Sequence, residues 1–385
     1  MEKKKVIVAG HACLDITPVF PSDTVCSTPG EMLSPGKLIQ MDGVDVNAGG
    51  AVSNTGLAMK LLGADVRLMA KTGTDAFGTI LSNIYASYGV CDGILAAEGE
   101  RTSYSAVIAI PGVDRIFLHD PGCNNTFSLE DVKKADFSEV GLFHFGYPPL
   151  MKRMYEQDGS ELVGIFRYVK EQGVATSLDL AFVDEGSDAG RADWRRILSR
   201  VLPYVDFFVP SVEELCWMLE PKRFGTWKER AGERELVSVL APQEDAAPLA
   251  EECIRLGAKV LLLKCGAPGL YYQTGGKQRL SELSGILGLD ADDWADRKGF
   301  EVSYKPGRVR SGTGAGDTTI AAFLVAMLSG YSFSQCVQLA AAEGASCVED
   351  YGALGGIRPL AELEQKIRAG WEKRKTRTKN GEFRF

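Results

Sequence analysis

Short aliphatic or β-branched runs alternate with amphipathic stretches along most of the chain, and no other feature constrains the fold as tightly. The runs at 5–9, 66–70, 105–110, 141–145, 175–178, 206–209 and 259–263 read as strands. Between them, 51–62, 76–88, 161–172, 194–201, 211–219 and 247–256 read as helices. Repetition of strand, helix, strand pairs the strands in parallel through right-handed crossovers and covers both faces of the sheet. The expected class is α/β, with a mostly parallel central sheet between two helical layers.

Three stretches break the rhythm. Residues 13–48, rich in Pro, Ser, Thr and Gly, and residues 99–122, an alternating run with a Pro-Gly turn, do not fit a strand-helix alternation. They are expected to form a small sheet projecting from the body as a lid, within one domain spanning 1–385. Residues 284–308 read as an acidic, flexible insertion, and the basic end 372–385 as a frayed tail.

Composition narrows the partner. A net charge of −8 over 385 residues repels nucleic acid and anionic membrane, so a small-molecule partner is expected. Nine cysteines are an odd number and never form C-x-x-C, which suits neither a zinc pattern nor a disulfide framework. The first residues hold too short an apolar run for a signal peptide, and no run approaches the roughly 18 residues that span a bilayer. A cytoplasmic location is expected.

Chemistry concentrates in "VRSGTGAGDTTIAAFLVAML", residues 309–328. Ile320, Phe323, Leu324, Met327 and Leu328 repeat at helical spacing, so a buried helix starts near Ala315 and ends by Gly330. Its first amides lack intrahelical partners and its dipole favours an anion, while glycines let a phosphate approach the backbone. Asp317 then stands where a carboxylate is unwelcome beside a phosphate, unless it takes a proton. A turn in which Asp317 only satisfies amides is the competing reading. A dinucleotide fingerprint fails because Asp317 occupies the third glycine position, and a P-loop fails because no Lys follows.

Ser311-Gly312-Thr313-Gly314-Ala315-Gly316-Asp317 resembles the D-T-x-G-A-G-D signature of the ribokinase-like (PfkB) family of carbohydrate kinases, intact over G-A-G-D. Residues 47–78, with a Gly-Gly pair, Asn54 and G-x-D-x-x-G, are similar to the N-terminal signature. The resemblance implies a three-layer α/β/α sandwich with a β-sheet lid. It implies Asp317 as catalytic base and the amides of Gly314, Ala315 and Gly316 as the anion hole. ATP and Mg2+ are implied, with Glu214 in "SVEE" matching the N-x-x-E acid near the metal and Ser211 departing from its Asn. Glu214 also reads as an ordinary first-turn acid. Lys264, Gly266 and Gly269 in "KCGAPG" resemble the loop beside the ATP phosphates, with Thr313 next to it, and 351–356 stands where the family wraps adenine. Ser311 replaces a carboxylate placed near a monovalent cation in some members, so activation by that ion is left open.

On the acceptor side the resemblance implies that Asp15, Gly49, Gly50, Asn54 and Asn124 bind the substrate, and Tyr147, at a strand end, is expected to face the same pocket. Asp15 alone also fits a generic strand-end acid, and His119 and His144 read as core or loop residues. The acceptor segments around these residues carry no Lys or Arg, which predicts a neutral acceptor, a free sugar or a nucleoside. The resemblance implies that a hydroxymethyl group of a sugar is phosphorylated. A nucleoside kinase is the alternative enzyme, and a non-catalytic sugar or nucleotide sensor the alternative from another class. Exposed lid edges predict a homodimer through the lid.

Overall fold

The structure, a computed structural model, describes residues 4–24, 28–111, 115–377 and 383–384. Its centre is a nine-stranded sheet built from β1 (Lys5–Gly10), β4 (Val66–Gly73), β5 (Ile94–Ala97), β8 (Val140–Gly146), β9 (Ala175–Leu178), β10 (Phe207–Phe208), β11 (Val260–Lys264), β12 (Gly269–Thr274) and β13 (Lys298–Val302). Their spatial order is β13-β12-β11-β10-β9-β8-β1-β4-β5. Pairing is parallel from β5 across to β11, and antiparallel where β12 and β13 complete the edge.

Strand pleating distributes successive side chains to opposite faces. Val6, Val8, Leu68, Leu142 and Leu262 face one core, shared with α1 (Gly50–Leu61), α7 (Ala315–Leu328) and α8 (Phe333–Cys347). Ile7, Ala9, Phe143, Phe145, Leu261 and Leu263 face the other, shared with α3 (Ser160–Glu171), α4 (Trp194–Val201), α5 (Val212–Leu219) and α6 (Pro242–Leu256). The helix α2 (Ala76–Ser87) follows β4 and presents Leu81 and Tyr85 inward. Two apolar cores on one sheet give three layers, as the alternation predicts.

A separate four-stranded sheet has the order β3-β2-β6-β7, from β2 (Cys13–Val19), β3 (Gly43–Gly49), β6 (Tyr104–Ile108) and β7 (Ile116–Asp120). The 105–110 run therefore belongs to this small sheet. β2 pairs antiparallel with β3 and parallel with β6, and β6 pairs antiparallel with β7. Parts of both lid segments, 25–27 and 112–114, lie outside the described residues.

Residues 284–308 correct the sequence reading. They carry β13, the edge strand of the main sheet, and bury Trp294 and Tyr304. Trp294 packs edge-on against Phe207 and Phe333, with ring centroids 6.3 and 5.1 Å away. The acids that suggest flexibility are local fasteners: Asp290 caps a short turn of helix, and Asp293 accepts the Phe333 amide at 2.6 Å. The basic end is anchored at its start, where the Lys305 amide donates to the Glu372 carbonyl and the Arg374 amide to the Ser303 carbonyl, both at 2.8 Å. Residues 378–382 and 385 lie outside the described residues. Among the described residues, no helix is long and apolar enough to cross a membrane.

Candidate active site

The carboxyl ends of β1, β8, β9, β10 and β11 open on one edge of the sheet, where parallel α/β proteins bind ligands. His11, Tyr147 and Asp179 directly follow β1, β8 and β9, Pro210 lies two residues past β10, and Lys264 ends β11. The amino end of α7 points into the same region.

Asp317 lies in the first turn of α7 and is 6% exposed. Three side chains hold its carboxylate. The Tyr147 hydroxyl lies 2.7 and 2.9 Å from the two oxygens, the Thr55 hydroxyl donates to Oδ1 at 3.2 Å, and the Asn54 amide donates to Oδ2 at 3.3 Å. Burial pushes the carboxyl above the usual carboxylate range, opposed by the Lys264 ammonium and by these hydrogen bonds. Tyr147 reaches Asp317 from a left-handed backbone, φ 62° and ψ 43°, an uncommon conformation for a non-glycine residue. The sequence assigned Tyr147 and Asn54 to the acceptor; the structure sets both on the candidate base.

Lys264 sits at the end of β11 with its Nζ 2.7 Å from Asp179 Oδ1, and both side chains are buried. A Cβ added to Gly316 would stand 3.7 Å from Lys264 Nζ, so the ammonium lies against the amino end of α7. Burial raises the Asp179 carboxyl to about 8, opposed by Lys264 and reinforced by Glu214 and Asp317. Asp179 is therefore a fourth acidic or basic group of this centre, together with Asp317, Lys264 and Glu214. Its position directly after a buried strand was visible in the sequence, but its pairing with Lys264 across the intervening β10 was not.

Glu214 and Ser211 form a capping box on α5: the Ser211 amide donates to Glu214 Oε2 at 2.9 Å and the Glu214 amide to Ser211 Oγ at 3.4 Å. The Ser in place of Asn thus caps the helix, and it also bridges to Lys264 in parallel register. Gly266 and Gly269 shape the β11-β12 turn. Gly269 takes φ +137°, and a Cβ there would meet the Glu301 carbonyl at 2.1 Å.

Gly314 is the N-cap of α7 in a left-handed conformation, with the 351–356 loop pressed on it: an added Cβ would stand 2.5 Å from the Ala353 methyl. The Ala315 amide turns back to the Gly312 carbonyl at 3.3 Å. Upstream, Ser311 Oγ donates to Thr313 Oγ1 at 3.0 Å and accepts the Thr313 amide at 3.1 Å. It also accepts from the Arg115 guanidinium at 2.8 Å, which arrives from the start of β7 in the small sheet. Arg115 therefore reaches the glycine loop.

Around the expected acceptor position, Asp15 stands on β2 opposite Asn47 of β3, and Gly49 gives its carboxylate room: a Cβ there would meet Asp15 Oδ2 at 2.2 Å. Gly50 opens α1 at φ +82° beside the His11 ring. Asn124 departs from the expectation. It is fully buried and both ends of its amide hold Ala12, donating to the carbonyl at 2.9 Å and accepting the amide at 3.2 Å. Asn124 thus fixes the link between β1 and β2, and with it Asp15. His144 is fully buried, with Nδ1 2.9 Å from Ser177 Oγ and Nε2 without a hydrogen-bond partner. A cleft of about 400 Å3 opens at the opposite, amino ends of β1, β4 and β8, around Lys5, Arg67 and Glu139, far from these groups.

A buried aspartate held by three donors, a paired lysine and a glycine-lined helix start thus meet at the carboxyl edge of the sheet. Residues 3–358 match the model of the pfkB family of carbohydrate kinases, and the chain belongs to that family. An uncharacterized sugar kinase of Archaeoglobus fulgidus is 24% identical over 304 residues, covering 78% of this chain and 98% of the relative. The fructokinase of Xylella fastidiosa with bound ATP matches at TM-score 0.68 and 20% identity, covering 95% of this chain and 99% of its own. The Arabidopsis thaliana ribokinase complexed with ribose and ATP matches at 0.66 and 20%, with the same coverage. At such identity the solved structures establish the fold alone.

Proposed function

We propose that this chain transfers the γ-phosphoryl group of ATP to a hydroxymethyl group of a small neutral sugar. The observation that carries the reading is Asp317, buried at the start of α7 and held by three donors beside Lys264. The acceptor hydroxyl gives its proton to Asp317 as its oxygen bonds to phosphorus; the bond from phosphorus to the bridging oxygen breaks, and ADP leaves. Amides of Gly314, Ala315 and Gly316 are placed to meet charge on the moving phosphoryl group once the Ala315 amide is freed from Gly312. Lys264 adds a fixed positive charge, and Arg115 brings a second from the small sheet to the glycine loop.

Mg2+ fits the oxygen-only acids here. Glu214 and Asp179 would hold it, and the ion would neutralise phosphate charge. Nucleotide would lie along the β11-β12 turn of Gly266 and Gly269, Thr313 and the 351–356 loop.

Acceptor neutrality rests on where the cations go. Lys264 is paired with Asp179, Arg101 with Asp120 and Lys71 with Asp131, while Arg115 is on Ser311. Asp15, raised by burial, is left to accept hydroxyl groups of the sugar, within a pocket formed with Gly49 and Gly50. The small sheet acts as a lid that carries Asp15 and Arg115 together, so its closure joins acceptor to phosphate and excludes water. Its exposed Val44, Val46, Phe117 and Leu118 and its two edge strands suit a homodimer through the lid. Free thiols among the described cysteines suit a cytoplasmic enzyme.

The test is ADP release across neutral sugars, nucleosides, aldonic acids and sugar phosphates. The reading predicts the highest kcat/KM for a neutral sugar; a nucleoside or an anionic acceptor in that place overturns it, and binding without any turnover assigns the chain to a sensor.

A further inference from the structure

Three metal-capable side chains converge on the acceptor side without any part in the proposed transfer. His11 follows β1, Cys13 opens β2 and His119 lies on β7 of the small sheet. One ligand atom from each lies within 4.8 Å of the others. The two imidazoles face each other with Nε2 atoms 3.2 Å apart, and His11 is 2% exposed. Its second nitrogen, Nδ1, is buried with no hydrogen-bond partner. The Gly49-Gly50 turn makes the room: a Cβ on Gly50 would stand 2.5 Å from that atom. An imidazole pair sharing one hydrogen bond, beside a thiol and with a buried nitrogen unsatisfied, is a poor structural solution, because buried polar atoms are nearly always paired.

We propose that His11, Cys13 and His119 bind a divalent transition metal ion of the zinc type, and that its binding clamps the small sheet to the sheet body and closes the acceptor pocket. The donor set selects the metal. Two imidazoles and a thiolate suit zinc, copper or cobalt, whereas Mg2+ requires oxygen ligands. Supporting contacts of the kind that orient ligands are present: Ser105 Oγ lies 3.0 Å from His119 Nδ1 and 3.7 Å from Cys13 Sγ. Binding converts the thiol to a thiolate and releases one proton to solvent, with no change of oxidation state. Three protein ligands leave a tetrahedral ion one open position. The Cys13 thiol also donates to Asp15 Oδ1 at 3.3 Å, so the ion stands beside the aspartate that the proposed kinase reading gives to the sugar. The His11 and Tyr147 rings are 6.2 Å apart, which places the ion between the acceptor aspartate and the tyrosine on Asp317. His119 belongs to β7 while His11 belongs to the body, so one ion ties the lid to its base.

Cobalt titration of the purified chain tests the site without sugar or nucleotide. One equivalent of Co2+ should bind with a thiolate-to-cobalt charge-transfer band. Cys13→Ser should abolish the band and His119→Gln should weaken binding, while Cys91→Ser, altering an exposed cysteine elsewhere, should retain both. Ser105→Ala removes only a supporting contact and should weaken binding by roughly 10–100-fold. Circular dichroism of each variant separates lost binding from lost fold. In the kinase assay, Zn2+ should inhibit competitively with the acceptor and a chelator should restore turnover. Absence of the band in the wild-type chain, or its survival in Cys13→Ser, overturns the site; inhibition that is not competitive with the acceptor overturns the closure. A chain that binds cobalt as described but phosphorylates no acceptor overturns the kinase reading and leaves the metal site standing.

Discussion

The Tyr147 hydroxyl lies within 2.9 Å of both oxygens of the Asp317 carboxylate, across the cleft between the end of β8 and the start of α7. Tyr147 lowers the carboxyl against the raising effect of burial, and it does so from a left-handed backbone. The pair couples a strand end to the helix start that the proposed transfer assigns to the phosphate.

A base works only as the carboxylate, so kcat/KM should rise with pH through the Asp317 carboxyl. Tyr147→Phe removes a lowering influence and should move that rise to higher pH, costing more activity at pH 6 than at pH 8.5. A pH profile with an unmoved acid limb would separate the tyrosine from the base.

Gly316 and Gly314 should answer differently to alanine. At Gly316 the new methyl meets Lys264 carbon at 3.5 Å, an ordinary contact, so the melting temperature should hold while turnover falls roughly tenfold or more if, as proposed, phosphate approaches this amide. At Gly314 the residue needs φ +73° and would meet Ala353 at 2.5 Å, so Gly314→Ala should destabilise the chain by about 1–2 kcal/mol or more. Equal melting temperatures for the two variants would contradict this division.

Glu343 on α8 is fully buried, and burial raises its carboxyl to about 8. The folded chain then holds a proton that the unfolded chain has lost, so stability declines as pH climbs from the ordinary glutamate range through 8. Glu343→Gln should remove this decline, so that its stability relative to the wild type is a few kcal/mol higher at pH 9 than at pH 5. Parallel thermal melts across that range would refute the assignment.

Much of this arrangement was legible because periodicity and local chemistry carry it. The strand at 175–178 and the helix at 194–201 fall where the spacing puts them, and the start of α7 follows from its apolar repeat. β12 and β13 escaped because they pair antiparallel at an edge and, in β13, show no aliphatic run. Trp294 was hidden among acids whose role is capping, so local charge outweighed one buried ring. In the site, G-A-G-D marks Asp317, but its partners come from distant strands. Thr55 sits one residue beyond Asn54 and carries no signal of its own; Lys264 meets Asp179 only when β9, β10 and β11 align. Asn124 was assigned to the acceptor by its resemblance to the family's lid motif, and a motif does not tell that both ends of its amide hold Ala12.

Asp317 carries the central claim, and single-turnover or steady-state ADP release by Asp317→Asn, with the best neutral acceptor, tests it most directly. Asn keeps the size and most of the hydrogen-bonding shape while removing basicity. Turnover is predicted to fall roughly 10²–10⁴-fold with nucleotide affinity nearly unchanged. Turnover within about threefold of the wild type, with the variant folded and binding ATP, would contradict the account and return Asp317 to a structural role at the helix start.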